Sequence, residues 1–145
     1  MQGTYKGYQL DAPISFWNAT QQYRDEIANG VGPEWAPAII RRACSSKWFL
    51  YGISAKPAAD IHDWEYDRGT NMIDKMVADK RFGDNLIRMI KQKNRWWTPW
   101  NWIASPFRLR RTLSMYLAVR YGGDDAFWAG KERPMFWAGK ERPLA

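Results

Sequence analysis

Cysteine and histidine are almost absent from this chain of 145 residues, which contains one of each, Cys44 and His62. A single cysteine excludes an internal disulfide and a metal cluster built from thiolates, and it is compatible with a reducing cytoplasm. The single imidazole lies in the stretch KPAADIHDWEYDRG, directly before Asp63 and four residues before Tyr66. Pro57 is well placed in the first turn of a helix, so His62 is expected on that helix.

Long apolar runs are missing as well. Met1 is followed by polar, glycine-containing sequence without the apolar region of a signal peptide, and no stretch of 18 apolar residues is present. The sequence therefore predicts neither a Sec signal peptide nor a membrane-spanning helix. A protein of this kind that acts on a membrane would act from its surface, or after delivery by another assembly.

Acidic residues are absent from Asn85 to Gly123, where eight residues are basic. Most of the formal net charge of +7 is concentrated in this segment, which points toward phosphate, either of lipid head groups or of nucleic acid. An ordinary solvated helix face would show the same pattern, and the sequence alone leaves both interpretations open.

Aromatic residues, in contrast, are abundant, since ten Trp, seven Tyr and six Phe make up 16% of the chain. A single domain of this length needs fewer rings for its core, so several are expected at an interface. The segment NRWWTPWNWIASPF, with four tryptophans and two prolines, is predicted to form an ordered aromatic loop. The predicted membrane or partner surface comprises Trp96, Trp97, Trp100, Trp102, Arg108, Arg110 and Arg111.

The residue pattern predicts a mainly α protein in three parts. Residues 1–32 would form an N-terminal arm and a short helix, residues 33–123 a helical core with the Trp-rich basic loop, and residues 124–145 a C-terminal tail. The predicted elements, in order, are an extended arm over residues 1–11, a helix from Ser15 to Ala28, a helix from Pro33 to Arg42, a strand or tucked loop from Lys47 to Ser54, and helices from Pro57 to Arg68, from Thr70 or Asn71 to Lys93 and from Leu109 to Tyr121.

A carboxylate lies within an apolar pattern on the second of the long helices. Asp79 falls in the middle of a predicted stripe that contains Met72, Met76, Gly83, Leu86, Ile87 and Ile90. A buried charge is costly unless it is paired, and His62 lies on a packed face of the preceding helix, so we expect an Asp79–His62 pair. A carboxylate bonded to one ring nitrogen fixes the tautomer and leaves the other nitrogen as a base. A buried polar pair that only holds two helices together is the alternative.

Asp63 points about 100° away from His62 around the helix axis, so it cannot make the same contact. Calcium prefers carboxylate and carbonyl oxygens, and Asp63 is the candidate calcium ligand.

The run AADIHDWEY, with ADKRF downstream, resembles the phospholipase A2 signature. In that signature two cysteines and two variable residues precede His-Asp, and a variable residue, a cysteine and a tyrosine follow. Ala58, Ala59 and Glu65 stand at the cysteine positions, and the likeness extends from GISAKPAADIHDWEYDRG to YLAVRYGGDDAFW. The spacing of His62 and Asp79 is more like that of the cysteine-free viral and bacteriophage relatives than that of the secreted enzymes.

The resemblance implies a phospholipase A2-like pair of antiparallel helices, with additional short helices and aromatic loops. It implies that His62 is the general base, that Asp79 orients it with Tyr66 bonded to the same carboxylate, and that Asp63 binds calcium. The reaction would be hydrolysis of the sn-2 ester of a glycerophospholipid. The family's calcium loop is rich in glycine, whereas the corresponding CSSKWFLYGIS is short and has only Gly52.

Two functions follow from these observations. The first is a phospholipase A2-like esterase encoded by a bacteriophage, present in the virion or the host cytoplasm and acting at the cell envelope through a phospholipid surface. The second is a structural or assembly protein of the virion that keeps the scaffold, has weakened catalysis and binds other virion subunits. A nucleic-acid binder ranks lowest, because no recognised binding motif accompanies the basic residues.

The chain ends in a tandem repeat, FWAGKERPM followed by FWAGKERPL. A recent duplication in a flexible tail is one explanation, because tails tolerate insertion. Exposed Phe-Trp pairs would be an apolar liability, however, so Phe127, Trp128, Phe136 and Trp137 are predicted to be mostly buried as anchors of an assembly surface.

Overall fold

The computed structural model describes residues 1–28, 50–94 and 99–132, and this part of the chain is mainly helical, as predicted. The predicted helix from Pro33 to Arg42 and residues 47–49 of the predicted strand or loop lie outside these ranges. The described elements, in chain order, are β1 (Gln2–Tyr5), β2 (Tyr8–Asp11), α1 (Ile14–Asn18), α2 (Gln21–Ile27), α3 (Lys56–Arg68), α4 (Met72–Lys93), α5 (Pro99–Gly122) and α6 (Asp124–Trp128).

The N-terminal residues, expected as an extended arm, form a β-hairpin in which β1 and β2 pair in antiparallel register. The turn consists of Lys6 and Gly7, whose φ angles are 46° and 84°. A two-residue hairpin turn of this kind needs positive φ at both positions, which glycine adopts without strain. The prediction of extended backbone was correct, but the turn that pairs the two strands was not predicted.

Two amide side chains of α4 form hydrogen bonds with the backbone of β2. Asn85 accepts a hydrogen bond from the backbone N–H of Asp11 and donates one to its carbonyl, both at 2.8 Å. Gln92 makes the same pair of bonds with the backbone of Gln9, at 2.8 and 2.9 Å. These bonds satisfy backbone groups of an edge strand, and they fix the hairpin on α4.

The single helix predicted from Ser15 to Ala28 is wrong, because the chain leaves helical geometry after Asn18. Ala19 and Thr20 are extended, with ψ angles of 150° and 154°. The Thr20 hydroxyl then accepts a hydrogen bond from the N–H of Tyr23 and caps α2. A threonine that satisfies a free N–H at a helix start favours a new helix over continuation of the old one.

The two central helices follow the sequence prediction closely. Pro57 lies in the first turn of α3, and Gly69 ends this helix. The Asn71 side chain caps α4 by accepting hydrogen bonds from the N–H groups of Ile73 and Asp74, at 2.8 and 3.0 Å. Each of these residues satisfies or removes a backbone group that a helix end leaves without a partner.

Helices α3 and α4 run antiparallel. His62, in the middle of α3, contacts Phe82 of α4, with ring centroids 5.0 Å apart. Tyr66, one turn later in α3, lies 5.9 Å from the ammonium nitrogen of Lys75, which is earlier in α4. Later residues of one helix thus meet earlier residues of the other.

Helix α5 corrects the prediction for the Trp-rich segment. From Pro99 onward this segment is helical and continuous with the helix expected from Leu109, while residues 95–98 lie outside the described ranges. Pro99 is at the first helical position, where proline is tolerated, and Pro106 lies inside the helix at an exposed position. None of the described helices is both long and apolar enough to cross a bilayer.

The core has a main part and a smaller part. The main part joins the hairpin, α1, α3 and α4, and its members include Tyr5, Leu10, Phe16, Leu50, Ile61, Trp64, Phe82, Leu86 and Met89. The smaller part consists of Tyr66, Ala78, Phe127 and Trp128 and joins α3, α4 and α6. His62 and Asp79 lie where these two parts meet.

Candidate functional site

The candidate site is built by one turn of α3 facing one turn of α4. His62 and Tyr66 are four residues apart and therefore share a face of α3. Asp79 projects from α4 toward both. The three side chains are 6%, 8% and 0% exposed, so their polar atoms must find partners inside the protein.

Their hydrogen bonds converge on one carboxylate oxygen. Nε2 of His62 lies 3.1 Å from Oδ1 of Asp79, and the Tyr66 hydroxyl donates to the same oxygen at 2.6 Å. The predicted contact between His62 and Asp79 is therefore confirmed, as is the bond from Tyr66. The His62 and Tyr66 rings also contact each other, with centroids 4.0 Å apart.

This geometry determines which nitrogen of His62 can act as a base. Burial lowers the pKa of His62 below its ordinary 6.5, although the Asp79 carboxylate opposes this, so the imidazole is neutral at pH 7. Because a carboxylate can only accept, the proton of the neutral ring is on Nε2. The lone pair is then on Nδ1, as a general base requires.

The protonation states of Asp79 and Tyr66 support this assignment. Burial alone would raise the pKa of Asp79, but hydrogen bonds from His62, Tyr66 and Lys75 outweigh it and hold the pKa below its ordinary value. Burial and the bond to Asp79 raise the pKa of Tyr66, so the phenol keeps the proton that it donates.

A fourth side chain, which was not predicted from the sequence, completes the site. Lys75 is one helical turn before Asp79 and is 0% exposed. Its ammonium nitrogen lies 2.9 Å from Oδ2 of Asp79. Lysine is rarely buried completely, so sequence patterns place it on the surface. Its i, i+4 spacing to Asp79 was the only available signal.

Asp63 lies beside the imidazole but does not bond to it. Its Oδ1 is 4.0 Å from Nδ1 of His62, on the side opposite to Asp79, and 28% of its side chain is accessible. Burial and the nearby charge of Asp60 raise the pKa of Asp63 to about 7. The ionised form of Asp63, which predominates above pH 7, can stabilise positive charge that develops on Nδ1.

Asp63 is the described side chain that stands at the predicted calcium position. Within the described ranges, no group of three His, Cys, Asp or Glu side chains could hold a metal ion. In the described part of the expected calcium loop, the carbonyls of Leu50 and Tyr51 accept hydrogen bonds from Arg108 at 3.1 and 2.6 Å. Residues 44–49 of that loop lie outside the described ranges, so calcium stays a prediction.

The predicted membrane or partner surface needs one correction. Arg108 is 1% exposed, and besides the two carbonyls it donates to the side chains of Asn94 and Asn101. It is therefore a structural residue of the core and not part of a surface. Trp100 and Trp102 are 66% and 62% exposed on α5.

Two of the other predicted surface residues are exposed, and the remaining two are not described. Arg110 and Arg111 are exposed on the same helix. Trp96 and Trp97 lie outside the described ranges.

The Phe-Trp pair in the first copy of the terminal repeat is buried, as predicted. Phe127 and Trp128 of α6 are 0% and 7% exposed. The Phe127 ring packs edge-on against Tyr66, with centroids 5.2 Å apart, and so supports the site from behind. Phe136 and Trp137 of the second copy lie outside the described ranges.

Comparisons with known proteins return no match: no family model, no curated protein and no solved structure matches this chain.

Proposed function

We propose that this protein is a phospholipase A2-like esterase that hydrolyses the sn-2 ester of glycerophospholipids. The observation that carries the proposal is the bond from Nε2 of His62 to Asp79, which leaves Nδ1 of a neutral imidazole as the base. Tyr66 donates to the same carboxylate oxygen and so helps to hold Asp79, and with it the imidazole, in this orientation.

In the proposed reaction, Nδ1 of His62 accepts a proton from a water molecule while the water oxygen attacks the ester carbonyl carbon. The bond between the acyl carbon and the glycerol oxygen then breaks, and the proton passes from Nδ1 to that oxygen. The products are a fatty acid and a lysophospholipid, and the imidazole is neutral again. Asp79 holds the ring in place, and Asp63 stabilises the transient charge on it.

The outward face of α5 is the proposed membrane surface. It consists of Ile103, Phe107, Arg110, Leu113, Leu117 and Tyr121, which lie within an arc of about 120° at 3.6 residues per turn. The five apolar members are between 41% and 77% exposed. A helix with an apolar face and basic residues, and without acidic ones, suits an anionic bilayer interface. A second copy of the chain would bring Arg110 against a like charge.

Vesicle binding tests this surface with two matched isoleucines. Ile103→Glu on the outward face of α5 should weaken binding to anionic vesicles about 10-fold or more, because it adds an acidic charge to an apolar contact. Ile73→Glu makes the same chemical change on α4, where Ile73 is 71% exposed, and should have little effect. Equal losses in both variants would show that only net charge matters. Concentration-dependent self-association that Ile103→Glu abolishes would favour a second copy.

The virion structural protein is the second candidate. Burial of His62 and Asp79 favours it, because water and substrate need access to Nδ1. In that case the polar cluster is a structural element, and the exposed apolar residues contact other virion subunits.

Hydrolysis of vesicles that carry a labelled sn-2 chain distinguishes the two candidates. The esterase should release labelled fatty acid, His62→Gln should abolish the release while the helical circular dichroism spectrum is kept, and Asp63→Asn should raise the calcium concentration required. The assay is run with millimolar calcium and with chelator. A folded wild-type protein without hydrolysis at millimolar calcium would favour the structural candidate.

A further inference from the structure

We propose that Lys75 is a positioning residue of the site, which holds Asp79 so that one carboxylate oxygen always faces His62 and Tyr66. The activity part of this inference rests on the proposed esterase function, whereas the geometric part does not.

The Lys75 ammonium group is held by more acceptors than it has protons. Four oxygen atoms surround it: Asp79 Oδ2 at 2.9 Å, the carbonyls of Val119 and Arg120, both at 3.2 Å, and Asp124 Oδ1 at 3.3 Å. An ammonium group has three donors, so its position is defined from several sides. The two carbonyls are in the last turn of α5, where the Val119 carbonyl also accepts a hydrogen bond from the N–H of Gly123 at 2.9 Å. Lys75 is therefore anchored to an element other than the one that carries it.

The two oxygens of the Asp79 carboxylate have different partners. Oδ2 accepts a hydrogen bond from Lys75 and lies 3.9 Å from Arg120. Oδ1 accepts from His62 and Tyr66. Rotation of the carboxylate by less than a half-turn would break the bond to Lys75 and the bonds from His62 and Tyr66. A fixed Oδ1 in turn keeps the His62 ring in one orientation, with its proton on Nε2.

Charge favours the same arrangement. A buried carboxylate needs a positive partner, and Lys75 at 2.9 Å, with Arg120 at 3.9 Å, supplies positive charge to Oδ2. A lysine that only stabilised the fold would not be required to keep His62 in one orientation.

The test uses the fact that His62 is the only histidine of the chain. Nitrogen-15 NMR at pH 7 reports the protonation of its two ring nitrogens without ambiguity. We expect the Nε2–H tautomer alone in the wild type. In Lys75→Met the carboxylate is no longer held at Oδ2, so we expect a second ring species, together with an approximately 100-fold lower kcat and an unchanged KM. Lys80→Met is the control, because Lys80 pairs with Asp84 by the same i, i+4 geometry but on the exposed surface.

Each outcome has a defined meaning. A folded Lys75→Met protein with the single Nε2–H tautomer would overturn the proposal. If this variant does not fold, Asp124→Ala decides, since it removes one of the four acceptors at a partly exposed position. It should then introduce a second ring species, and an unchanged spectrum would overturn the proposal. A wild type with the expected tautomer but without hydrolysis would contradict the esterase and leave the positioning role supported.

Discussion

At the scale of single residues, the Asp79 carboxylate determines both the stability and the chemistry of the site. It receives hydrogen bonds from an imidazole, a phenol and an ammonium group, and it is fully buried. Buried ion pairs contribute little net stability when compared with apolar residues, but removal of one partner is costly because the other charge is left behind. The same residue is therefore needed for folding and, in the proposed reaction, for orientation of the base.

Asp79→Asn should lower the free energy of unfolding by about 3 kcal/mol, because Lys75 then lacks its closest carboxylate inside the protein. Urea denaturation monitored by circular dichroism measures this. Asp84→Asn is the matched control, since Asp84 pairs with Lys80 on the same helix in solvent, and it should leave stability nearly unchanged. Similar losses in both variants would contradict the role given to Asp79.

The single histidine predicts how stability depends on pH. The pKa of His62 lies below its ordinary 6.5 in the folded protein, so below pH 6.5 the unfolded chain binds more protons than the folded one. The contribution of His62 to stability should therefore fall as the pH drops through 6.5, by at most about 1.4 kcal/mol per pH unit. Asp63 and Glu65 act in the opposite direction in the same range, because burial raises the pKa of each carboxyl group to about 7. His62→Gln cannot titrate, so the difference in stability between the wild type and this variant should change in favour of the variant between pH 7.5 and 5.5. Denaturation curves with the same pH dependence for both proteins would show that His62 is not the group responsible.

At the scale of elements, the sequence predicted best where local signals decide the structure. Pro57, Gly69 and Asn71 place the ends of α3 and α4 because each acts on backbone groups within a few residues. These ends fix the facing positions of His62 and Asp79, so the centre of the candidate site was predictable too.

The sequence prediction failed where tertiary contacts override local patterns. Met76 was placed in the buried stripe of α4 but is 47% exposed. Lys75 and Ala78 are buried on the face of α4 that actually packs against the rest of the protein. The ammonium group of Lys75 can be buried because oxygen atoms of α5 and α6 accept its hydrogen bonds and balance its charge. Arg108 is buried for the same reason, since carbonyls distant in sequence accept its donors. No periodicity in a single sequence shows such partners.

The junction between α5 and α6 depends on a glycine that allows close approach. A Cβ atom at Gly123 would lie 2.4 Å from the carbonyl oxygen of Val119 and 2.6 Å from the Tyr66 hydroxyl. Gly123→Ala should therefore shift α6 or displace the hydroxyl from Asp79, and lower stability by about 1–3 kcal/mol. A Cβ atom at the neighbouring Gly122 meets no atom within 4 Å, so Gly122→Ala is the matched control. Thermal unfolding of both variants measures the difference, and equal midpoints would contradict the close approach.

At the scale of the whole molecule, the two copies of the terminal repeat cannot play the same structural part. The Phe127 ring of the first copy fills the space beside Gly69, where an added Cβ atom would lie 2.5 Å from the ring. The neighbouring ammonium group of Lys131, also from the first copy, lies 4.4 Å from that ring. The Phe-Trp pair of the first copy therefore occupies this position in the smaller part of the core. The identical pair of the second copy cannot occupy the same position, so it has a different role or no structural role.

Substitutions of the two phenylalanines test this asymmetry. Phe127→Ala should lower the free energy of unfolding by about 3–5 kcal/mol, because it opens a cavity in the core. Phe136→Ala combined with Trp137→Ala should leave the unfolding of the domain unchanged, and so should deletion of Met135 to Ala145. If the second copy anchors an assembly, both changes should reduce oligomer formation or solubility more than lipid hydrolysis, which sedimentation and vesicle assays measure. If oligomeric state, solubility and thermal stability all stay the same, the second copy is a tolerated duplication, and the first alone belongs to the fold.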